Sequence, residues 1–575
     1  MNILQKFYTS LLDAVSKVIR INEPAPINYD ATRQQMQKIR EEHARNQDYD
    51  YSHIFRKKSQ MDLIRVSFIV VGLEFAYAAE TAFTSPTLLE IGVEHKHMTF
   101  VWSLSPFLAL VFSPILATIS DKCRLHYGRR RPMILTFTVL IITGLLLFCF
   151  GKSIGIALGD ESINYNSVSG SEDDVYHNHY YKYAAMVTIC ATILLDFSAD
   201  IIIFCARIYL LDVCVIDDHA RGLSVFSMMA GVGGFFGYSS TGIDWEKTMI
   251  GKCFGGNVET VFGIVIILIF ISSIVSLTSF REIPLPLMEK DELLRPLTHT
   301  AVKQEVYRKR NTIEIVQEVH ETEHYEQRNG DVEIQVPLLE SGNDEKTSIT
   351  QYLRSIFIMP RLMQILCLTN LLSWMAFVSY ALYFTDFVGE AVFMGDPMAP
   401  PDTESLTLYQ SGVRFGCFGL AVFALSCSIY SMFIETSMNL VGIKFIYVGS
   451  LTLFGVSMFL LATFPTQLGV LVLSVPAGII YSTMLTIPFL LMTKYHGSEL
   501  FVGSHDRNKG SSNCRGLGMD MAVLSSSTCV SQVVVSLIAG SVIEWIGSSC
   551  ATIYLAGVLG LVSAFSASKV SYLDM

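Results

Sequence analysis

Charge is scarce along this chain. Of its 575 residues only 16% are Asp, Glu, Lys or Arg, 51% are hydrophobic, and mean hydropathy is +0.43. Soluble domains carry about 25% charge, so a water-soluble fold is excluded. None of the twelve cysteines stands in a CxxC pair or at metal-ligand spacing, which excludes a zinc module and a redox dithiol. No Asn-x-Ser/Thr sequon occurs. Nucleophile–base pairs, phosphate-binding loops and metal motifs are missing too, so no enzyme and no cofactor are expected. A formal net charge of −11 leaves no basic surplus for nucleic acid. The N-terminal stretch of some sixty residues is polar and lacks a signal-peptide pattern, so the first apolar block is expected to direct insertion itself.

What the sequence does have is long apolar runs. Crossing a bilayer takes about 20 such residues. Blocks of that kind cover 66–91, 99–120, 133–151, 183–213, 222–242 and 261–277, and, after a polar gap, 356–388, 412–433, 445–463, 468–492, 516–539 and 551–567. The fold class expected is an all-α polytopic membrane protein with twelve transmembrane helices in two six-helix halves. The divisions expected are a cytoplasmic tail 1–62, a first half 63–280, a charged cytoplasmic linker 281–355 and a second half 356–575. Two halves joined in this way form the plan of the major facilitator superfamily, in which substrate binds near midplane between them.

Basic residues set the orientation. Arg56, Lys57, Lys58 and Arg65 precede the first block, and Lys122, Arg124, Arg129, Arg130 and Arg131 fill the second short loop. The segment after the third block, GDESINYNSVSGSEDDVYHNHYYK, is acidic. Positive-inside counting then puts both termini in the cytoplasm. At the N-terminus, Leu4, Phe7, Leu11, Val15 and Val18 recur at helical spacing beside Lys6, Lys17 and Arg20, which fits either a helix lying on the membrane surface or a solvated tail. Cys253 and Cys550 fall in outer loops, where they either pair or stay free.

Two constellations carry the chemistry. In SDKCRLHYGRRRP, Asp121 ends one helix and Arg129, Arg130 and Arg131 open the next. A carboxylate beside such a cluster forms either a charge-relay gate or a simple topology signal; the Asp-to-Gly-Arg-Arg spacing favours the gate. In LLDFSADIIIFCARIYLLDV, Asp196, Asp200 and Arg207 interrupt a lipid-compatible run. Each such residue costs about 2.5–3.5 kcal/mol near the bilayer centre on insertion scales. Steps of four and eleven residues rotate about 40° and 20° on a helix, so the three share one face, spread over roughly 16 Å. That stripe should line a water-filled cavity, the alternative being an internal salt bridge that locks packing. Arg207 offers a planar fork to sugar hydroxyls or a carboxylate. No histidine falls in a block, so carboxylates must carry any coupled proton. Glu74 and Glu80 sit about 120° apart, so only one should face the cavity, and Glu80 joins Asp196 and Asp200 as a proton-coupling candidate.

Together with EFAYAAETAFTSPTLLEIG, LLSWMAFVSYALYFTDFVGEAVFMGDP, SGVRFGCFGL, YSTMLTIPFLLMTKYH and RGLGMDMAVLSSSTCVSQ, these segments resemble the glycoside-pentoside-hexuronide and sucrose–proton symporter branch of the superfamily. Its members include the plant sucrose–proton symporters, the animal proton-associated sugar transporters and the melanosomal membrane-associated transporter protein. The resemblance implies that Asp196 couples the proton and Arg207 binds sugar. Asp200 replaces an asparagine of the plant members, so which acid titrates stays open. Asp386 resembles the acid of the seventh span and joins the substrate-binding candidates, although Glu390-Ala391 replaces the basic–acidic pair of plant members. Arg414 resembles the plant pattern, and Asp520 lies in the eleventh span. Trp374 and Tyr380 either stack on a sugar face or serve helix packing.

The function expected is proton-coupled symport of sucrose or a related saccharide. The alternatives are an organelle solute or proton carrier that adjusts luminal pH and a non-transporting sugar sensor. Partners are the sugar, protons and the bilayer, with the protein acting as a monomer in the plasma membrane or an organelle. In MEKDELLRPL, Glu289 precedes Leu293-Leu294 by four residues in a segment expected to be cytoplasmic, flexible and so accessible, which fits either a dileucine sorting signal or a chance pairing.

Overall fold

Ten helices in the computed structural model are long and apolar enough to cross a membrane, counted among the described residues. Those residues are 29–91, 93, 95–160, 181–254, 256–295, 361–396, 399, 403–496, 517–546 and 548–572. The acidic segment after the third span, most of the linker and the amphipathic N-terminus lie outside them.

The first half runs through α1 (Ile69–Glu90), α2 (His95–Asp121), α3 (Arg131–Cys149), α4 (Lys182–Val213), α5 (His219–Thr241) and α6 (Asn257–Leu277). The second comprises α7 (Arg361–Leu382), α8 (Glu404–Val441), α9 (Ile443–Thr463), α10 (Val475–His496), α11 (Leu517–Ile546) and α12 (Cys550–Ala567). Helices α1 and α5 fall short of the apolar criterion yet occupy the places of the first and fifth expected spans. Both are shielded from lipid, α1 by α5 and α6, and α5 by α1 and α8. Among the described residues a helix thus stands at each of the twelve expected places, and apolar side chains such as Phe107, Leu135, Phe270, Ile429, Phe445 and Phe565 point outward.

The two halves meet along two seams, α5 against α8 and α2 against α11. The first is close because of glycine: a Cβ on Gly231 of α5 would lie 2.5 Å from the Ser428 backbone nitrogen of α8. Small residues that let helix backbones touch are the usual device for packing helices in lipid. Pro106 and Pro114 interrupt the hydrogen-bond ladder of α2, and Pro488 does so in α10. Beyond α7 the chain breaks at Tyr383, makes one α-turn at Phe384–Phe387 and continues as a π-turn, Val388–Val392.

A second unit holds the helix Tyr29–Arg45, which packs on the short turns Ser52–Phe55 and Glu292–Leu294. His43 pairs there with Asp291, and Arg40 donates to the Arg295 carbonyl. Leu294 is fully buried, whereas Leu293 is exposed. The dileucine pair is thus not accessible as expected, because its second leucine serves packing.

Candidate functional site

Between the halves lies a cavity of about 860 Å³. Its lining includes six carboxylic acids, Glu74, Glu80, Asp196, Asp200, Asp244 and Asp386, and two arginines, Arg207 and Arg414. Helix α4 supplies the stripe: Asp196, Asp200 and Arg207 all line the space.

Each acid has a distinct environment. Tyr77 donates its hydroxyl to Asp200 Oδ1 at 2.7 Å, one turn of α1 before Glu80. Tyr481 of α10 donates to Glu74 Oε1 at 2.8 Å. Tyr409 of α8 donates to Asp386 Oδ1 at 2.7 Å. Glu80 differs. It is 2% exposed, neither of its carboxyl oxygens has a hydrogen-bond partner among the described residues, and the Asp196 carboxyl is its main electrostatic neighbour. Two carboxyls that face each other without another donor can hold one proton between them.

Arg207 occupies the deep end. It is 6% exposed, and its guanidinium lies 3.8 Å from the ring centre of Phe489 on α10 and 5.2 Å from that of Phe226 on α5. It has no ion-pair partner among the described residues, and its Nε has no acceptor. A guanidinium fixed by aromatic faces keeps its edge donors free for a ligand. Trp374 lines the same wall, and its indole nitrogen also lacks a partner. Phe377 stacks on Tyr481 with ring centres 4.8 Å apart.

Several expectations change. Tyr380 is fully buried, donates to Ser474 at 3.2 Å and does not line the cavity. On α7 the residues facing the cavity are Trp374, Phe377, Val378, Ala381 and Leu382, and Tyr380 points about 120° away from Trp374. Glu74 and Glu80 both reach the cavity, since it wraps round α1 instead of touching one face. Asp520 is buried outside the lining. Cys253 and Cys550 are both free thiols.

The basic loop sits at the opposite end of the bundle from the mouth lined by Gly242, Asp244, Asn257 and Gln410. Arg130 is 2% exposed and reaches Asp121, Ser120 Oγ at 2.9 Å and Asp212 at 3.5 Å. Arg129 pairs with Asp212 at 3.2 Å. Glu282 accepts from the backbone N–H of Arg130 at 2.9 Å and of Arg131 at 3.5 Å, and the Arg131 side chain donates to the Leu277 carbonyl. Gly128 has φ +111°, where a Cβ would lie 2.1 Å from the Glu282 carboxylate, so glycine is required twice over. Burial pushes the Glu282 carboxyl above its ordinary range and Asp212 adds to this, while Arg130 pulls the other way. Burial also opposes the charge on Arg130, but Asp121 and Asp212 more than offset it. Asp212 and Glu282, which sequence reasoning passed over, thus complete a knot that ties α2, α3, α4 and the end of α6 within the first half.

Arg130→Ala leaves two carboxylates facing one another and should cost about 3 kcal/mol, the lower end for a buried pair because Asp121 is 31% exposed. Arg129→Ala removes one partly buried pair but leaves Asp212 with Arg130 as its partner, and should cost about 1 kcal/mol. Thermal unfolding of the two purified variants in detergent should separate them clearly, and equal midpoints would show that Arg130 is not the centre of the knot.

Comparisons with known proteins agree with this architecture. Residues 185–501 match the Major Facilitator Superfamily and residues 67–160 match "MFS/sugar transport protein". The chain is 30% identical to the membrane-associated transporter protein of Mus musculus over 533 residues, covering 90% of this chain and 95% of that one. It is 26% identical to proton-associated sugar transporter A of Rattus norvegicus, covering 91% and 88%. Among solved structures, the human organic anion transporter MFSD10 (TETRAN) superposes with a TM-score of 0.52 at 14% identity, covering 89% of this chain and all of the other. The transporter FucP in its outward conformation gives 0.50 at 10% identity, and at these identities the likeness is one of fold.

Proposed function

We propose that this chain, which belongs to the major facilitator superfamily, moves a sugar across the membrane together with a proton by alternating access between its two halves. One observation carries the reading: the cavity holds a guanidinium with no ion-pair partner among the described residues, Arg207, and, about three turns away on the same helix, Asp196, which lies near Glu80 of α1. Sugar and proton thus have separate sites in one space. Arg207 donates to adjacent sugar hydroxyls, Trp374 adds its free N–H and an aromatic wall, and Asp386 accepts from further hydroxyls. The carboxyl pair takes up a proton at the open mouth and releases it on the other side, with no metal or organic cofactor required. Asp200, already held by Tyr77, is the alternate carrier. The names of relatives support a carrier over an enzyme, and a proton and a sugar over other cargo.

The basic loop and the tail before α1 favour cytoplasmic termini. The cavity therefore faces outward while Asp121, Arg129, Arg130 and Arg131, with Asp212 and Glu282, hold the cytoplasmic end together. Burial of Leu294 favours the plasma membrane over dileucine-directed delivery to an organelle. The protein is expected to act as a monomer.

Uptake of labelled sucrose, glucose and other sugars by transfected cells tests this reading. Uptake should saturate and should rise as the outer pH falls from neutral to acidic. No sugar entering above the level of mock cells at either pH would refute it.

A further inference from the structure

Two of the tyrosine–carboxyl bonds in the cavity stay within one half. Tyr77 and Asp200 are both in the first half, and Tyr409 and Asp386 are both in the second. Glu74 is the exception. It lies on α1 of the first half, and the hydroxyl that donates to it, at 2.8 Å, is that of Tyr481 on α10 of the second. The same helix supplies Phe489, the ring beneath Arg207. Helix α10 thus engages two deep ionisable residues of the first half, Glu74 and Arg207.

The surroundings of this bond are those of a closed seam. Ser482, next to Tyr481, shares a hydrogen bond with Ser431 of α8 at 2.7 Å. Ser431 donates in turn to Ser227 of α5 at 3.0 Å. Cys427 of α8 is fully buried there and its thiol donates to the Ser227 carbonyl at 3.7 Å. On α8 the cavity lining reaches Phe423, so Cys427 lies one turn beyond it, on the side away from the mouth. Halves that rock must part along this seam before the cavity can open at the basic end.

We propose that Glu74 and Tyr481 form a latch between the halves that holds the cavity shut at its basic end, and that Tyr481 is a positioning residue for the transport cycle. A neutral hydroxyl bound to a carboxylate is a directional contact, and its two atoms sit on bodies that must separate. It therefore stabilises the outward-open form alone. Hydrogen bonds to charged groups are strong enough to shift a two-state equilibrium by about tenfold to a hundredfold. The inference rests on the alternating-access reading, but its test requires no sugar.

Cys427 is a built-in reporter of the seam. Its alkylation by N-ethylmaleimide, followed residue by residue by mass spectrometry on the full-length protein, should be slow in the unmodified chain. Tyr481→Phe keeps the ring on Phe377 and removes only the hydroxyl, and it should speed alkylation about tenfold or more. Glu74→Ala removes the same bond from the other half and should act alike, with the double variant no faster than either single one. Glu74→Gln retains an acceptor oxygen for Tyr481 but not the charge, and should speed alkylation less than Glu74→Ala does. An unchanged rate in monodisperse Tyr481→Phe and Glu74→Ala protein would overturn the latch. So would additive effects in the double variant, because the two groups would then act independently. Failure of sugar uptake in the unmodified protein would strike at the carrier reading and leave these labelling rates as they are.

Discussion

Arg207→Lys should reduce sugar uptake by about a hundredfold while the protein remains folded and delivered to its membrane. Lysine keeps one positive charge, so a role confined to charge balance in the cavity would survive the change. It loses the plane that lies on Phe489 and the fork that addresses two hydroxyls at once. Each hydrogen bond lost from a charged donor costs about 1.5–3 kcal/mol, so losing one or two accounts for about a hundredfold in uptake efficiency. The loss should fall mainly on KM, because the contact is made in the bound state. Surface biotinylation and concentration-dependent uptake measure the two quantities, and uptake equal to that of the unmodified protein would remove Arg207 from the sugar site.

Asp196→Asn should abolish accumulation against a gradient. The asparagine amide can donate permanently to Glu80, so the pair behaves as though its proton never left. Entry and exchange of sugar down its gradient persist, but the steady-state ratio of inner to outer sugar under an acidic outside falls to about one. Glu80→Gln should reproduce the effect, since either carboxyl can lend the donor. Asp200→Asn should retain accumulation, because Asp200 already accepts from Tyr77 at 2.7 Å and does not need the shared proton. If Asp200→Asn loses accumulation and Asp196→Asn keeps it, the two acids exchange roles.

Helix positions were legible in the sequence wherever lipid set the composition. Helix α4 runs over Lys182–Val213, against an expected 183–213, because both of its ends leave the apolar slab abruptly. Helix α8 runs from Glu404 to Val441, well past the apolar block 412–433, since a helix continues into water for as long as its backbone bonds are satisfied. The block 356–388 hides the break at Tyr383, as hydropathy does not register the change from an α-turn to a π-turn. Periodicity grouped Asp196, Asp200 and Arg207 correctly as one face of one helix. It could not say which side of α7 meets the cavity, so Tyr380 was named while Tyr481, Tyr77 and Tyr409 were missed. Those hydroxyls have no pattern of their own, and they matter because of carboxylates that lie 23 to 407 residues away in sequence. Asp212 and Glu282 escaped for the same reason: one sits at a helix end and the other in the connection after α6, where an acid is commonplace, and only the fold brings them to Arg130.

The central claim is that one turnover moves a sugar and a proton together through this cavity. Purified protein in liposomes, with a pH electrode in a weakly buffered outer medium, tests it without a cellular background. Adding sugar to empty liposomes should make the medium more alkaline as protons enter with it. The signal should vanish with a protonophore and should be absent in Arg207→Lys and Asp196→Asn protein. Sugar entering these liposomes with no change in outer pH would contradict the account.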